Sequence, residues 1–590
     1  MESLRDWLNK KSAQVTNLLF VLTLMIITVQ LTSDLFQQNE MYFVQDLLTA
    51  IIVLFSILSF ALSIYYVQTA SYAFIRFVRL IFFLLCLVNV IIQLSLAIGM
   101  ESGQASMTNL GLFLTLILGF IAISSKIASL GNSDIHPSLL FVLTFAFLIL
   151  FGALGLMLPA STVNGIGFTD ALFTATSAVT VTGLAVLDTG KDFTFFGQVI
   201  IALLLQLGGL GILTVTNLFA LIFKPSSSFR NRMMVSDMIK EAQSNRTFST
   251  LFKIILFTGL VELVGAFFIF LSIYGQPDVT HEPIFFSIFH AISAFCNGGF
   301  SLLSNNLYEE SIRFNYNLQL AISWLIITGG IGYSVMINHW AIFKNIASKV
   351  MQPLTGPRPN VLVRTSINTR IIAFTTFILL FAGTGLFFVS EYNNTLAEHS
   401  LWGKFVVSFF NATTPRTAGF NNINMAELGI PAFMLIMALM WVGASPGSTG
   451  GGIKTTTFAV ALLNLWNQIK GRERLIIRLK EIPGSTINQV NAVILLSIFA
   501  ISFGTFLLAF LEKDILFKDL LFESISAFST VGLSIGITPA LTEGSQYVLI
   551  GLMFLGRVSF LTFLIGLFNN LDSGDPACSA YYGKENVIIN

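Results

Sequence analysis

Apolar runs of about 20 residues recur along this chain, separated by short polar or charged stretches. Wound as an α-helix, such a run matches the hydrocarbon thickness of a bilayer. The pattern predicts twelve membrane spans, at about 15–33, 43–66, 73–99, 108–125, 139–158, 194–222, 249–273, 318–343, 367–390, 430–466, 490–511 and 545–568. Four shorter segments lie between spans and end in small or hydroxyl residues followed by Gly. They read T-A-T-S-A-V-T-V-T-G-L from Thr174, H-A-I-S-A-F-C-N-G-G-F from His290, N-A-T-T-P-R-T-A-G-F from Asn411 and F-E-S-I-S-A-F-S-T-V-G-L from Phe522. Aligned on the last Gly of each motif, they place Gly183, Gly299, Gly419 and Gly532 at intervals of 116, 120 and 113 residues. Four copies of one element at near-constant spacing predict a repeat architecture.

Each copy breaks its own helix inside membrane sequence, which is tolerated only where the backbone is buried or lines a cavity. The expectation is helix, re-entrant pore segment, helix, four times around one axis, the way a filter of carbonyl oxygens is assembled. The predicted fold is therefore an all-α polytopic membrane protein. Its expected divisions are four peripheral N-terminal helices over 1–130, then repeats over 131–225, 226–345, 346–470 (carrying an irregular loop) and 471–590 with the C-terminal tail.

Composition agrees: the 590 residues are 55% hydrophobic and 10% charged, against about 25% charged in soluble domains. A large water-soluble enzyme is excluded on that ground, and no convergent set of nucleophile, His and carboxylate points to an embedded one. A net charge of +1 gives no reason to expect a nucleic-acid partner. Cys86, Cys296 and Cys578 are too far apart in sequence to propose a disulfide framework or a thiolate metal site. His136, His281, His290, His339 and His399 are equally dispersed. The first apolar run lacks a small-x-small cleavage site and reads as a retained helix.

Charge placement predicts orientation. Lys224, Arg230, Arg232, Lys240, Arg246 and Lys253 fill one loop; Lys344, Lys349, Arg358, Arg364 and Arg370 a second; Lys470, Arg472, Arg474, Arg478 and Lys480 a third. The filter-side loops instead carry acids such as Asp188, Asp278, Glu309, Glu398 and Glu512. By the positive-inside rule the filters face outward and both termini lie in the cytoplasm, in a cytoplasmic (inner) cell membrane.

The candidate ion-binding residues are Thr180, Val181, Thr182 and Gly183; Cys296, Asn297, Gly298 and Gly299; Thr417, Ala418 and Gly419; and Ser529, Thr530, Val531 and Gly532. Gly permits the turn that points carbonyls inward. None of these stretches supplies a carboxylate, which argues for a weak, many-oxygen site for a monovalent cation rather than a Mg²⁺ or Ca²⁺ site. Small residues of this kind also serve plain helix packing; four copies in phase favour the filter. A short helix aimed at such a site adds the negative end of its dipole. Asp170, Glu282 and Asp519 near the helix starts match the opposite end, as ordinary caps also would.

The span at 430–466 is interrupted by Gly443, Ala444, Ser445, Pro446 and Gly447, then Ser448, Thr449, Gly450, Gly451 and Gly452, up to Lys454 and Thr455. Such a run is incompatible with regular helix and predicts a constriction that can move aside, a gate. It imitates a phosphate loop, but Ile453 separates Gly452 from Lys454 and no strand precedes it, so nucleotide binding is not expected. Three charges within apolar sequence need partners. Arg416 is expected to brace the third filter or repel cations at its flank, and Lys454 to line the gate or snorkel to the inner surface. Arg557 is expected to face the pore as part of the barrier, with Glu262 an acid of unknown pairing. The glycines of Q-L-G-G-L-G-I (206–212) and T-G-G-I-G-Y (328–333) predict close helix packing behind the filter.

The four filter segments, S-P-G-S-T-G-G-G-I-K-T-T (445–456), T-P-R-T-A-G-F (414–420) and the Gly-Arg pair at 556–557 together resemble the Trk/Ktr/HKT superfamily of potassium transport proteins, over about 139–568. The resemblance implies a one-subunit pore of four pseudo-repeats for K⁺ uptake, with Gly443–Thr455 as an intramembrane gate and Arg557 as part of the barrier. It also implies a homodimer and a cytosolic nucleotide-binding regulatory subunit. In that family Gly in the first filter accompanies K⁺ preference and Ser accompanies Na⁺; here the residue is Gly183. The second filter, F-C-N-G-G-F, departs from the commoner Asn-Asn-Ala-Gly and keeps a Na⁺-conducting or Na⁺-coupled transporter open as an alternative. The four N-terminal helices exceed the two of larger bacterial relatives. An inverted-repeat secondary carrier would show two-fold rather than four-fold internal correspondence.

Overall fold

A computed structural model describes residues 51–60, 83–93, 137–211, 247–275, 282–333, 366–472 and 480–561, with a few positions between them. Of the expected N-terminal helices, Ile51–Phe60 and Phe83–Gln93 are seen as helix. The remainder of 1–136, most of the first two basic loops, His136, His281, His339, Cys578 and most of the expected repeat boundaries lie outside the described residues.

From residue 137 the elements follow one rhythm. Helices α1 (Pro137–Leu156), α2 (Phe168–Thr180) and α3 (Phe195–Leu210) are succeeded by α4 (Thr247–Ile273), α5 (Pro283–Cys296) and α6 (Tyr316–Ile331). Then come α7 (Ile367–Glu391), α8 (Leu401–Thr413), α9 (Ile430–Trp441) and α10 (Thr455–Ile469), and finally α11 (Gly484–Leu511), α12 (Phe517–Phe528) and α13 (Glu543–Val558). Among the described residues the strands are an antiparallel pair of two residues each, β1 (Ile476–Ile477) and β2 (Lys480–Glu481), after α10.

Among the described residues three helices are long and apolar enough to cross a membrane by length and composition: Lys253–Ile273 in α4, Ile367–Glu391 and Gly484–Leu511. Their side chains divide by surroundings. On α7, Phe374, Phe377 and Phe381 are exposed while Thr376, Leu380 and Thr384 are buried. On α11, Phe499, Phe503, Phe506 and Phe510 are exposed while Ser497, Gly504 and Thr505 turn inward. Large apolar groups face out and small or hydroxyl ones face the protein, the arrangement suited to lipid as solvent, where close packing rather than exclusion from water joins helices.

The helices after each short segment are shorter than the sequence predicts. The runs 194–222, 318–343 and 545–568 are not continuous helices: α3 stops at Gly211 (φ 81°), α6 at Gly332 (φ 92°) and α13 at Ser559 (φ 70°). The run 430–466 is split into α9 and α10, as its Gly and Pro content predicts. Hydropathy does not see these breaks, because the residues beyond them are apolar too.

The short helices α2, α5, α8 and α12 hold 13, 14, 13 and 12 residues. At 1.5 Å per residue they reach roughly 18–21 Å, too short to cross about 30 Å of hydrocarbon. They are also the most buried elements: α2 has nine consecutive or near-consecutive buried positions from Ala171 to Thr180. Packing closes a cycle around them. Helix α3 packs on α5, α6 on α8, α9 on α12, and α13 returns to α2.

Candidate functional site

Each short helix is followed within four residues by a left-handed residue, directly at its C-cap in α2 and α5. Val181 (φ 58°), Asn297 (63°), Thr417 (72°) and Thr530 (51°) occupy that region, and two residues later Gly183 (97°), Gly299 (68°), Gly419 (75°) and Gly532 (89°) occupy it again. A β-branched residue there costs roughly 1–2 kcal/mol, so the same strain at three such positions, with Asn at the fourth, reflects one imposed turn. That turn takes the chain off its helical course and sets the peptide before each glycine against a neighbouring turn.

The four turns meet. A Cβ built on Gly183 would lie 2.6 Å from Gly298 O, and one on Gly299 would lie 2.8 Å from Ala418 O. One on Gly419 would lie 2.5 Å from Val531 O, and one on Gly532 would run into Thr182 O. The contacts go 183 to 299, 299 to 419, 419 to 532 and 532 back to 183, a closed ring of backbone in which no side chain larger than hydrogen fits. Of the fifteen residues of the four sequence motifs, fourteen are buried and Gly183 is half-buried.

A hydroxyl on each short helix, or just past its end in the third, holds this turn. Ser177 and Ser526, each six residues before the ring glycine, accept from Gly183 N (3.0 Å) and Gly532 N (3.1 Å). Ser293 donates to Phe300 O (2.8 Å) and Thr414 to Phe420 O (2.6 Å). The sequence motifs do not mark these four residues as a set, although three of them stand six residues before their glycine and Thr414 stands five before Gly419.

Not every motif side chain faces the ring. Thr180 folds back on its helix, bonding Thr176 O (2.7 Å) and lying 2.8 Å from Thr182 Oγ1. The Cys296 thiol points toward Gln206 Oε1 (3.6 Å) and Glu262 Oε1 (4.0 Å), and Gln206 Nε2 donates to Glu262 Oε2 (3.3 Å). Glu262 is thus engaged by an amide and a thiol. The Asn297 amide lies against Thr417 Oγ1 (3.3 Å); with its oxygen toward that hydroxyl, its nitrogen reaches Ala294 O (3.1 Å) and Ile326 O (3.3 Å). Ser529 Oγ and Thr530 Oγ1 are buried with no partner among the described residues.

The loop Gly443–Thr455 lies against the ring on the α3, α6 and α13 break side. Ser445 N donates to Gly330 O (3.1 Å), Tyr333 N to Gly447 O (3.1 Å) and Thr449 Oγ1 to Phe295 O (3.1 Å). Cβ atoms built on Gly450 and Gly451 would run into Thr417 Oγ1 and Thr530 Oγ1, so those glycines let the loop touch the turns. Lys454 does not snorkel away: its Nζ turns back to Gly450 O (2.8 Å) and Gly451 O (3.4 Å). Arg557 donates to Thr449 O and to Gly208 O, joining the loop to the end of α3. Arg416, expected to brace filter carbonyls, instead reaches Thr376 Oγ1 on α7 at 3.4 Å. The glycines predicted to pack closely do so, Gly208 over Val179 O and Gly329 over Phe295 O, as does Gly556 over Phe528 O.

A cycle of apolar helices around a close ring of backbone, with no convergent catalytic set among the described residues, suits a polytopic membrane protein of the transport class. The TrkH family, described as "Cation transport protein", matches residues 136–575, and the chain belongs to it, within the Trk/Ktr/HKT superfamily of pore-forming subunits rather than enzymes. It is 36% identical to the Ktr system potassium uptake protein B of Bacillus subtilis (strain 168), over 72% of this chain and 92% of that protein. It is 33% identical to the Potassium/sodium uptake protein NtpJ of Enterococcus hirae, over 77% and 97%. Among solved structures, the potassium transporter TrkH of Vibrio parahaemolyticus shares the fold with a TM-score of 0.59 at 17% identity, covering 84% of this chain and 98% of that one. The protein is a multi-pass membrane protein that transports cations.

Proposed function

We propose that the chain is the pore-forming subunit of a potassium-selective channel or transporter for K⁺ uptake. In this reading K⁺ passes through the ring of Gly183, Gly299, Gly419 and Gly532, and the helix–short helix–helix units are four pseudo-repeats around that pore. The single observation that carries it is the closure of the ring from four turns of identical handedness. Carbonyl oxygens brought together without a carboxylate can replace the hydration shell of a monovalent ion and still release it. The hydroxyls of Ser529 and Thr530, without partners among the described residues, leave further oxygens free, that of Thr530 on the side where the loop meets the ring. Beneath the ring, Gly443–Thr455 acts as a gate held by Arg557 and Lys454, whose positive charges also oppose a cation resting there. By their Lys/Arg bias the basic loops face the cytoplasm and the ring opens outward. Two copies form a dimer, and a cytosolic nucleotide-binding subunit docks on the basic face.

The likeness to a relative named for potassium and sodium, with the second filter's Cys296 and Gly298, supports a second reading in which Na⁺ also passes. One assay separates them: K⁺ and Na⁺ flux into proteoliposomes at equal concentrations. Potassium selectivity requires K⁺ flux to exceed Na⁺ flux; equal fluxes give the second reading, and no flux of either removes the pore.

A further inference from the structure

Resting on the reading of the ring as the ion path, we infer that Glu523 and His290 are positioning residues that clamp two opposite walls of the ring and thereby set its selectivity. The two occupy one structural position, nine residues before Gly532 and Gly299 on α12 and α5. Both are fully buried. Each engages the hydroxyl two residues after its glycine: Ser534 Oγ donates to Glu523 Oε1 (2.5 Å), and Ser301 Oγ lies 3.0 Å from His290 Nε2. Each of those hydroxyls also accepts from the backbone N–H two residues further on, Gly536 N at 2.9 Å and Leu303 N at 3.1 Å. With Nδ1–H of His290 donating to Phe286 O (2.9 Å), its Nε2 is an acceptor, so both walls use the same polarity: acceptor on the short helix, hydroxyl proton from the departing chain.

Glu523 extends the clamp, accepting also from Ile535 N (3.3 Å) and Thr538 Oγ1 (3.2 Å). A buried carboxylate is retained only where donors converge on it, and these three donors all belong to the chain leaving the fourth turn. The other two walls lack this clamp. Their equivalent positions are Thr174, whose buried hydroxyl has no partner among the described residues, and Phe410. The third wall is held differently, by Asn411 to Asn422 (2.8 Å) and Asn422 to Gln319 of α6 (2.9 Å). Since the ring runs 183, 299, 419, 532, the clamped walls face each other across it.

Loss of one charged hydrogen bond at a wall lets its carbonyls relax, and such relaxation acts on a K⁺/Na⁺ ratio before it acts on folding. The test is parallel K⁺ and Na⁺ flux in proteoliposomes for the parent, E523Q, S534A and the double variant, with thermal unfolding in detergent as the control. E523Q should lower the K⁺/Na⁺ flux ratio by roughly tenfold and raise the half-saturating K⁺ concentration while the protein still unfolds cooperatively. S534A should move the ratio the same way, and the double variant should fall no further than the worse single, as for two ends of one interaction. Additive effects, or folded variants with the parent's ratio, would overturn the inference. Should E523Q not fold, S534A alone decides by the same ratio. A parent without selective flux would instead sink the proposed function, a distinct result.

Discussion

At the scale of single residues, two kinds of position are critical: glycines that admit a neighbouring backbone, and side chains that close a polar group's hydrogen bonds. Gly532 belongs to the first kind. Its φ of 89° and the approach of Thr182 O leave no space for a methyl. G532A must displace a neighbouring wall, and K⁺ flux in proteoliposomes should fall at least about tenfold, with a loss of roughly 1–3 kcal/mol in stability. His399 belongs to the second. It lies between α7 and α8, buried, 3.1 Å from the Tyr316 hydroxyl. Burial, then the positive charges of Arg313 and Lys404 against the opposing Glu398, hold its imidazole below the ordinary value. A His depressed in the folded state contributes stability that is complete above its unfolded pKa of about 6.5 and is lost as pH falls toward the folded value. The unfolding temperature should therefore drop on acidification from pH 7 through that window, and H399Q should flatten the dependence. A parallel pH profile in H399Q would show that other groups are responsible.

Among the elements, the one that differs in kind is Gly443–Thr455. Up to Lys454 it has no regular structure beyond a single bridge between Val442 and Ile453, and its hydrogen bonds run to the α6 break, to Phe295 O, to Arg557 and within itself. Bonds of this sort can be exchanged for water or for one another at small cost, which a helix in its place would not allow. Deleting Pro446–Gly452 should raise basal K⁺ flux while leaving the preference over Na⁺, since the ring is built elsewhere. R557A should raise flux in the same direction, about tenfold, if loss of its two charged donors releases the loop. Matched-protein proteoliposome flux checks both, and a folded deletion with unchanged or lower flux would make the loop a packing break instead.

For the whole molecule, the cyclic order of packing matters more than any pair. Because α13 returns to α2, damage to one unit is felt by its two neighbours, and the ring exists only when all four are in place. The exposed Phe and Leu of α4, α7 and α11 suit lipid as their surroundings, and the proposed dimer would cover part of the apolar exterior. Native mass spectrometry in detergent should find two chains per particle, and dissociation to single chains with flux retained would make the dimer dispensable for conduction.

The sequence by itself determined the polytopic helical class, the four equivalent segments and the irregular loop at 443–455. Hydropathy and the Gly/Pro content act locally, and a motif repeated four times needs no contact to be seen. The handed turns at Val181, Asn297, Thr417 and Thr530 were not foreseeable, because Val and Thr disfavour that region and only the surrounding packing imposes it. The ends of α3, α6 and α13 were equally hidden, since apolar residues continue past each break. Tertiary structure alone decided which polar groups share a bond: Arg557 with Thr449, Lys454 with the loop's own carbonyls, Arg416 with Thr376 rather than the ring, and Glu523 with Ser534. A buried donor takes whichever acceptor the fold brings within about 3 Å, and for Arg557 one such acceptor, Gly208, lies 349 residues away along the chain.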